Sequence, residues 1–416
     1  MAAGKSENGR MSALQRRVVA LCCATTFLDG YDTQALGLAV PRMAEAWTLQ
    51  PSAFAPALSG SFIGVALGAV LLAPLADRLG RRPTLIAMMI MIGLTTAGAA
   101  FATNPLSLTI WRVFTGLGLG GSVPIATAVI SEYAPEGRRA AYVALMIACM
   151  ALGSFAAGIV APQISHMWGW RGIFGVGGVV PVVMAGLLLV ALPESLKFLA
   201  AKGAGNEAGS ATPAPLERAS VASLFGIRYR MRTVLVWTIF WFNLFVIYSM
   251  ISWVPTLLKS AGWAHDAAQR ASGLVALGGI AGGMLLAWIA DRGRAIPALF
   301  TAYVATAVIF TLFIVGSGSV AAWIVFLLLV GAGAVGGQMA AGSVAAAYYY
   351  PSELRSTAVG WFNGIGRIGG IVGPLVLAAL MKNGWSSSHI LGVLALPMLI
   401  CAAGVLLLPR ALRTTQ

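Results

Sequence analysis

Residues 18–40 read VVALCCATTFLDGYDTQALGLAV. An apolar run of this length is enough to cross a bilayer as one helix, which needs about 20 residues. Near its middle stand two acids, Asp29 and Asp32. A carboxylate at bilayer depth costs at least ~2.5–3.5 kcal/mol on insertion scales. Residues three apart share a helix face, so a spanning helix must turn both acids toward protein or water, away from lipid. Intramembrane acids placed this way usually handle protons, ions or substrate.

The rest of the chain repeats the apolar pattern. Its 416 residues are 59% hydrophobic and only 10% charged, with a mean hydropathy of +0.85; a soluble domain carries about 25% charge. Twelve stretches are long and apolar enough to span: 18–40, 54–76, 84–102, 106–130, 140–163, 172–192, 233–258, 270–290, 296–316, 319–347, 356–381 and 389–409. A polar segment, 193–232, divides them six and six. The expectation is an all-α membrane protein of twelve transmembrane helices in two pseudo-symmetric bundles. Residues 1–192 form the N-terminal bundle, 193–232 a cytoplasmic linker, and 233–416 the C-terminal bundle.

The net charge of +14 does not point to nucleic acid once its distribution is read. With the N-terminus inside, 20 of the 27 Lys and Arg fall on the cytoplasmic side and 5 on the other. The last two, Arg112 and Arg367, fall within spans. This positive-inside bias places both termini in the cytoplasm; the expected location is a bacterial-type inner membrane. The first apolar run is too long for a cleaved signal and belongs to the fold. All four cysteines lie in spans, without metal or disulfide spacing, and read as packing residues.

The two halves echo each other. Residues 64–78 read GVALGAVLLAPLADR and 278–292 read GGIAGGMLLAWIADR. Gly64, Gly68, Asp77 and Arg78 therefore align with Gly278, Gly282, Asp291 and Arg292. Glycines at this spacing let membrane helices approach closely, and internal repeats suit two bundles that rock about a central site.

The run Gly64-x3-Gly68-x8-Asp77-Arg78-Leu79-Gly80-Arg81-Arg82 resembles the signature between the second and third helices of the major facilitator superfamily. Within it, Asp29-Gly30-Tyr31-Asp32, followed by Gly37 and Pro41, resembles the aspartate motif of the aromatic acid:proton symporters. Arg112-x3-Gly116-Leu-Gly118-Leu-Gly120-Gly121 is similar to the fourth helix of proton-coupled members, and Pro193-Glu194-Ser195 to a motif after the sixth helix of metabolite importers. The fifth span lacks the Gly-Pro pair of drug antiporters, and the seventh lacks the paired glutamines of many sugar porters. The resemblance implies alternating access, with Gly64, Gly68, Asp77, Arg78, Gly80, Arg81, Asp291 and Arg292 in conformational gating.

Depth can be worked from the sequence. Asp29 lies twelve residues after Arg17, and Arg367 twelve after Arg355. At ~1.5 Å per residue each stands about 18 Å above its anchor, close to the middle of a ~30 Å hydrocarbon core. Arg112 enters from the opposite side, within side-chain reach of Asp32. Asp29 and Asp32 are therefore proton-coupling candidates, with Arg112 balancing their charge; the competing reading is a fixed Asp32–Arg112 pair between helices. Arg367 suits a substrate carboxylate, because its planar fork matches one bidentately. Trp241 offers a ring face. Asn243, Tyr248, Gln338 and Asn363 offer hydrogen bonds.

Other signals carry less. Three G-x-G-x-x-G runs lie inside spans rather than in a βαβ unit. No Walker loop is present, and the three histidines lie near loops. The expectation is a proton-coupled importer of a small aromatic carboxylate such as a hydroxybenzoate, working in the lipid bilayer as a monomer. It needs no metal or organic cofactor, only the proton as coupling ion. The alternatives are a porter for another organic anion or a sugar, a membrane enzyme, or a transporter-like sensor. An enzyme is disfavoured because the midplane acids face arginines rather than a nucleophile, and a sensor because no sizeable soluble output region is present.

Overall fold

The computed structural model describes residues 11–135, 137–195, 198–199, 221–227, 229–315 and 319–413. Of the expected linker 193–232, residues 196–197, 200–220 and 228 lie outside the described residues. Every regular element among the described residues is helical.

Nine of the described stretches are long and apolar enough to cross a membrane. Two of them are double. Arg139–Ala191 runs 53 residues and breaks at Gly169, whose φ of 63° and ψ of −163° end one helix and start the next. His265–Phe313 runs 49 residues and turns at Ala290–Arg294, where Gly293 has φ 75°. Dividing these two and adding the first helix, Ala13–Ala46, gives the twelve expected crossings. Asp29, Asp32 and Gln34 lower that helix's hydropathy.

The chain divides into two units. Unit 1 comprises Met1–Ala39 and Pro56–Pro213; unit 2 comprises Val40–Ala55 and Ala214–Gln416. The first helix, α1 (Ala13–Ala46), contributes to both.

Unit 1 adds α2 (Ala55–Leu71), the short α3 (Leu75–Leu79), α4 (Arg81–Ala99), α5 (Pro105–Tyr133) and the doubled α6 (Arg139–Ala191). Asn104 starts α5 with a capping box: its side chain accepts from Ser107 N at 2.9 Å, and the Ser107 hydroxyl reaches back. Such caps contribute about 1 kcal/mol. Helices α2 and α5 touch through glycine. A Cβ on Gly64 would strike the Val113 carbonyl, and one on Gly116 the Ser61 carbonyl. Gly30 of α1 likewise lies against the Met150 carbonyl of α6, where Ser154 Oγ donates to Gly30 O at 2.9 Å.

Unit 2 comprises the one-turn α7 (Val221–Leu224), α8 (Arg230–Ser260), α9 (His265–Ser272), α10 (Leu274–Ile289) and α11 (Ala295–Val315). Then come α12 (Val320–Val330), α13 (Gly336–Tyr348), α14 (Ser352–Lys382), α15 (Ser387–Val393) and α16 (Ala395–Arg413). Wide π-type turns, Ala290–Arg294 and Gly331–Val335, precede α11 and α13. Helices α8 and α14 run together along Gly366, Gly369, Gly370 and Gly373, and Trp253 Nε1 donates to Pro374 O at 3.0 Å. The α1 end that belongs to this unit is held by charge. Arg42 pairs with Asp266 at 3.0 Å, and Glu45 lies 2.9 Å from His265 and 3.7 Å from Lys259.

Candidate functional site

In unit 1 the sequence-predicted acids are fully buried, with Asp29 and Asp32 at 1% and 0% exposure and Arg112 at 1%. Their surroundings differ. Asp32 Oδ1 accepts from Thr96 Oγ1 (2.7 Å) and Arg112 Nη1 (3.2 Å), while its Oδ2 faces Nη1 at 3.0 Å as an ion pair without hydrogen-bond geometry. Arg112 Nη2 donates to the Asp32 carbonyl (3.2 Å), and Nε to Ser61 Oγ (3.1 Å). The guanidinium is thus engaged on all three nitrogens, and it ties α1, α2, α4 and α5 into one polar knot.

Asp29 has no such partner. Its Oδ2 accepts from Ser122 Oγ at 2.6 Å, and its buried Oδ1 accepts no hydrogen bond. No cation forms an ion pair with it among the described residues. A carboxylate held this way is poorly compensated when charged, because burying an unpaired charge is costly. The two acids share a helix face and little else. Asp32 is ion-paired with Arg112, and Asp29 is a buried acid with one hydroxyl beside it. The sequence named Asp29, Asp32 and Arg112 but not Ser61, Thr96 or Ser122. Their only signal was a hydroxyl in an apolar span, which is common.

In unit 2, Asn243 is fully buried and donates from Nδ2 to Tyr303 Oη at 2.7 Å. Its Oδ1 is unpartnered, as is the Oε1 of half-buried Gln338 on α13. Tyr303, on α11 and fully buried, was not foreseen from sequence. Arg367, half-buried on α14, interacts electrostatically with Tyr248, whose ring lies against Gly370 three residues further on. The structure thus brings Arg367 and Tyr248 together. Asn363 is exposed and its Nδ2 donates to the Val359 carbonyl of its own helix. Trp241 stacks on Phe245 (5.7 Å, 22°) and lines a recess of about 390 Å³ with Trp237, Thr238 and Phe242.

The loop signature builds a second polar cluster, at one end of unit 1. Gly80 has φ 103°, and a side chain there would meet Glu194 Oε2 at 2.6 Å. Glu194 Oε1 accepts from the backbone of Arg81 (3.0 Å), Arg82 (3.1 Å) and Ser195 (2.8 Å). A carboxylate thereby caps the first turn of α4, where the helix dipole favours negative charge. Arg81 pairs with Glu132 of α5, Ser195 Oγ donates to Glu132 Oε2 (2.6 Å), and Tyr133 Oη donates to Glu194 O (2.7 Å).

The named charges divide within this cluster. Arg81 and Arg82 make inter-element bonds, Arg82 to the Leu189 carbonyl. Asp77 is 73% exposed and among the described residues pairs only with Arg81, at 3.8 Å, and Arg78 is exposed. Glu132 and Glu194 are the anchors; Glu194 stood within a recognised motif, but nothing local to it says what it holds. In the second copy, Arg292 lies 3.5 Å over the Trp288 ring and donates to its carbonyl. No ion pair to Asp291 or Arg292 forms among the described residues. The glycines of the repeat do correspond, since a Cβ on Gly278 or Gly282 would strike α12 or the turn after it.

Two units of membrane-crossing helices, each holding buried polar groups along its spans, define a multi-pass membrane protein. The sequence model of the Major Facilitator Superfamily matches residues 22–335 and 266–416. The 4-hydroxybenzoate transporter PcaK of Pseudomonas aeruginosa is 33% identical over 417 residues, covering 95% of this chain and 93% of that one. The gallate transporter of Pseudomonas putida is 32% identical, covering 96% and 93%. Among solved structures, a bacterial homolog of the human lysosomal transporter Spinster, inward-facing and occupied, aligns with a TM-score of 0.78 at 17% identity, covering 98% of this chain and 99% of that one. The chain belongs to the major facilitator superfamily, in the family that contains these aromatic acid transporters.

Proposed function

We propose that this transporter imports a small aromatic carboxylate, such as a hydroxybenzoate, together with protons across a bacterial inner membrane. It works by alternating access with both termini in the cytoplasm. Asp29 takes up and releases the proton, and the Asp32–Arg112 pair stays ionised as fixed scaffolding. The observation that carries this reading is the contrast within unit 1: one buried acid neutralised by a guanidinium, the other left with a single hydroxyl. An acid with no resident cation gains or loses a proton as its surroundings change, whereas an acid held against a guanidinium resists both.

Arg367 receives the substrate carboxylate, and Tyr248 stands beside it to meet the ring or its hydroxyl. The unpartnered Oδ1 of Asn243 and Oε1 of Gln338 are acceptors suited to a ring hydroxyl, and Trp241 supplies a ring face. The names of the relatives support an aromatic acid over a sugar. Asp77, Arg78, Arg81, Gly80 and the paired glycines Gly64 and Gly68 stabilise one state of the cycle, as do Asp291 and Arg292 more weakly. The test is proton uptake: protein reconstituted in liposomes holding a trapped pH dye receives 4-hydroxybenzoate without an imposed gradient. Symport acidifies the lumen with substrate entry, and substrate entry at constant lumenal pH refutes it.

A further inference from the structure

One groove of unit 2 takes no part in this scheme. It has a volume of about 400 Å³, within the range of about 300–1,000 Å³ typical of ligand pockets. Small residues create it. Gly282 lies against Ala332, Gly333 against Thr306, and Ala302 and Ala305 line the α11 side, so no large side chain fills the space where α10, α11 and the turn before α13 meet. Its walls are almost wholly apolar, and Ala305 is exposed.

At one end stands a single cation, Arg294, which is exposed and forms no ion pair among the described residues. The neighbouring Arg292 is committed to the Trp288 ring, and Trp288 itself is 55% exposed. A Trp–Arg group at a helix end marks the level of the membrane interface. From Arg294 the groove follows α11 to Ile309, fifteen residues or about 22 Å, which is enough to cross one leaflet's share of a ~30 Å core. A cation at the interface and an apolar slot descending from it match the two ends of one molecule.

We propose that this groove binds one anionic phospholipid, its acyl chain along α11 and its phosphate on Arg294. Basic recesses between membrane helices recognise acidic head groups in this way. Zwitterionic lipid offers the same chain with a phosphate already neutralised by its own ammonium.

The test uses the full-length protein, delipidated in mild detergent, with dioleoylphosphatidylglycerol as probe and native mass spectrometry and thermal unfolding as readouts. One lipid adduct per chain and a raised melting temperature are expected, both much weaker with dioleoylphosphatidylcholine. Arg294→Gln should weaken retention about fivefold, the equivalent of about 1 kcal/mol for one interfacial arginine, and Arg292→Gln should not. Ala305→Trp fills the slot from its exposed side and should abolish the adduct; this variant decides the matter if Arg294→Gln fails to fold. The proposal is overturned by equal retention of phosphatidylcholine, by equal loss in Arg292→Gln, by an unchanged adduct in Ala305→Trp, or by the same stabilisation from glycerol 3-phosphate alone.

Discussion

Removing one member of the Asp32–Arg112 pair should destabilise unit 1 far more than neutralising Asp29. Arg112→Gln deletes the counter-charge of an acid at 0% exposure, together with bonds to Asp32 O and Ser61. Breaking a buried pair from one side costs about 3–5 kcal/mol. At about 2–4 °C per kcal/mol for a unit of this size, the melting temperature should fall by about 6–20 °C. Asp32→Asn strands the guanidinium and should cost as much. The double variant leaves two neutral side chains that can bond each other, so it should recover about 0.5–3 kcal/mol relative to additivity. Asp29→Asn removes no cation's partner and keeps an acceptor for Ser122 Oγ, so its cost should stay near 1 kcal/mol. The assay is thermal unfolding of the four variants in one detergent, followed by tryptophan fluorescence. Equal stability of Arg112→Gln and wild type, or strict additivity in the cycle, would refute the assignment of Asp32 and Arg112 as scaffolding.

Arg367→Lys should raise the half-saturation concentration for 4-hydroxybenzoate by about 10–100-fold, since a charge-assisted bond contributes about 1.5–3 kcal/mol and an ammonium lacks the fork; initial uptake rates across a concentration series check it, and an unchanged value moves the carboxylate site elsewhere. Glu194→Ala removes the acceptor of two backbone N–H groups at the start of α4 and of Ser195 N, and should lower unfolding stability by about 0.5–2 kcal/mol while altering transport rate more than substrate affinity. Gly80→Ala forces a side chain into φ 103° against Glu194 and should cost about 1–3 kcal/mol, measured by the same unfolding assay.

The sequence made the spans legible because apolar length is a one-dimensional property. It also made Asp29, Asp32 and Arg112 legible, because a charge in such a span stands out by its cost. Burial and the Asp32–Arg112 contact followed from depth counting alone. The unequal surroundings of the two acids did not, because they depend on Thr96, Ser61 and Ser122 arriving from three other helices. Glu132 and Glu194 were missed as anchors for the same reason: each is 51 residues or more from Arg81, and only packing brings them to it. Asn363 shares a helix face with Arg367, and that its amide nitrogen turns back onto its own backbone is a rotamer choice no sequence spacing carries. In the second copy, Asp291 and Arg292 repeat the letters, but the wide turn at Ala290–Arg294, which the letters do not carry, lays Arg292 on Trp288.

Paired flux measurements on reconstituted Asp29→Asn test the central claim most directly. Labelled 4-hydroxybenzoate is followed once as accumulation driven by an inward proton gradient, and once as exchange against unlabelled substrate with no gradient. A side chain fixed in its neutral form should let loaded carriers shuttle, so exchange should persist while accumulation above equilibrium disappears. Accumulation at the wild-type level in this variant would contradict the account.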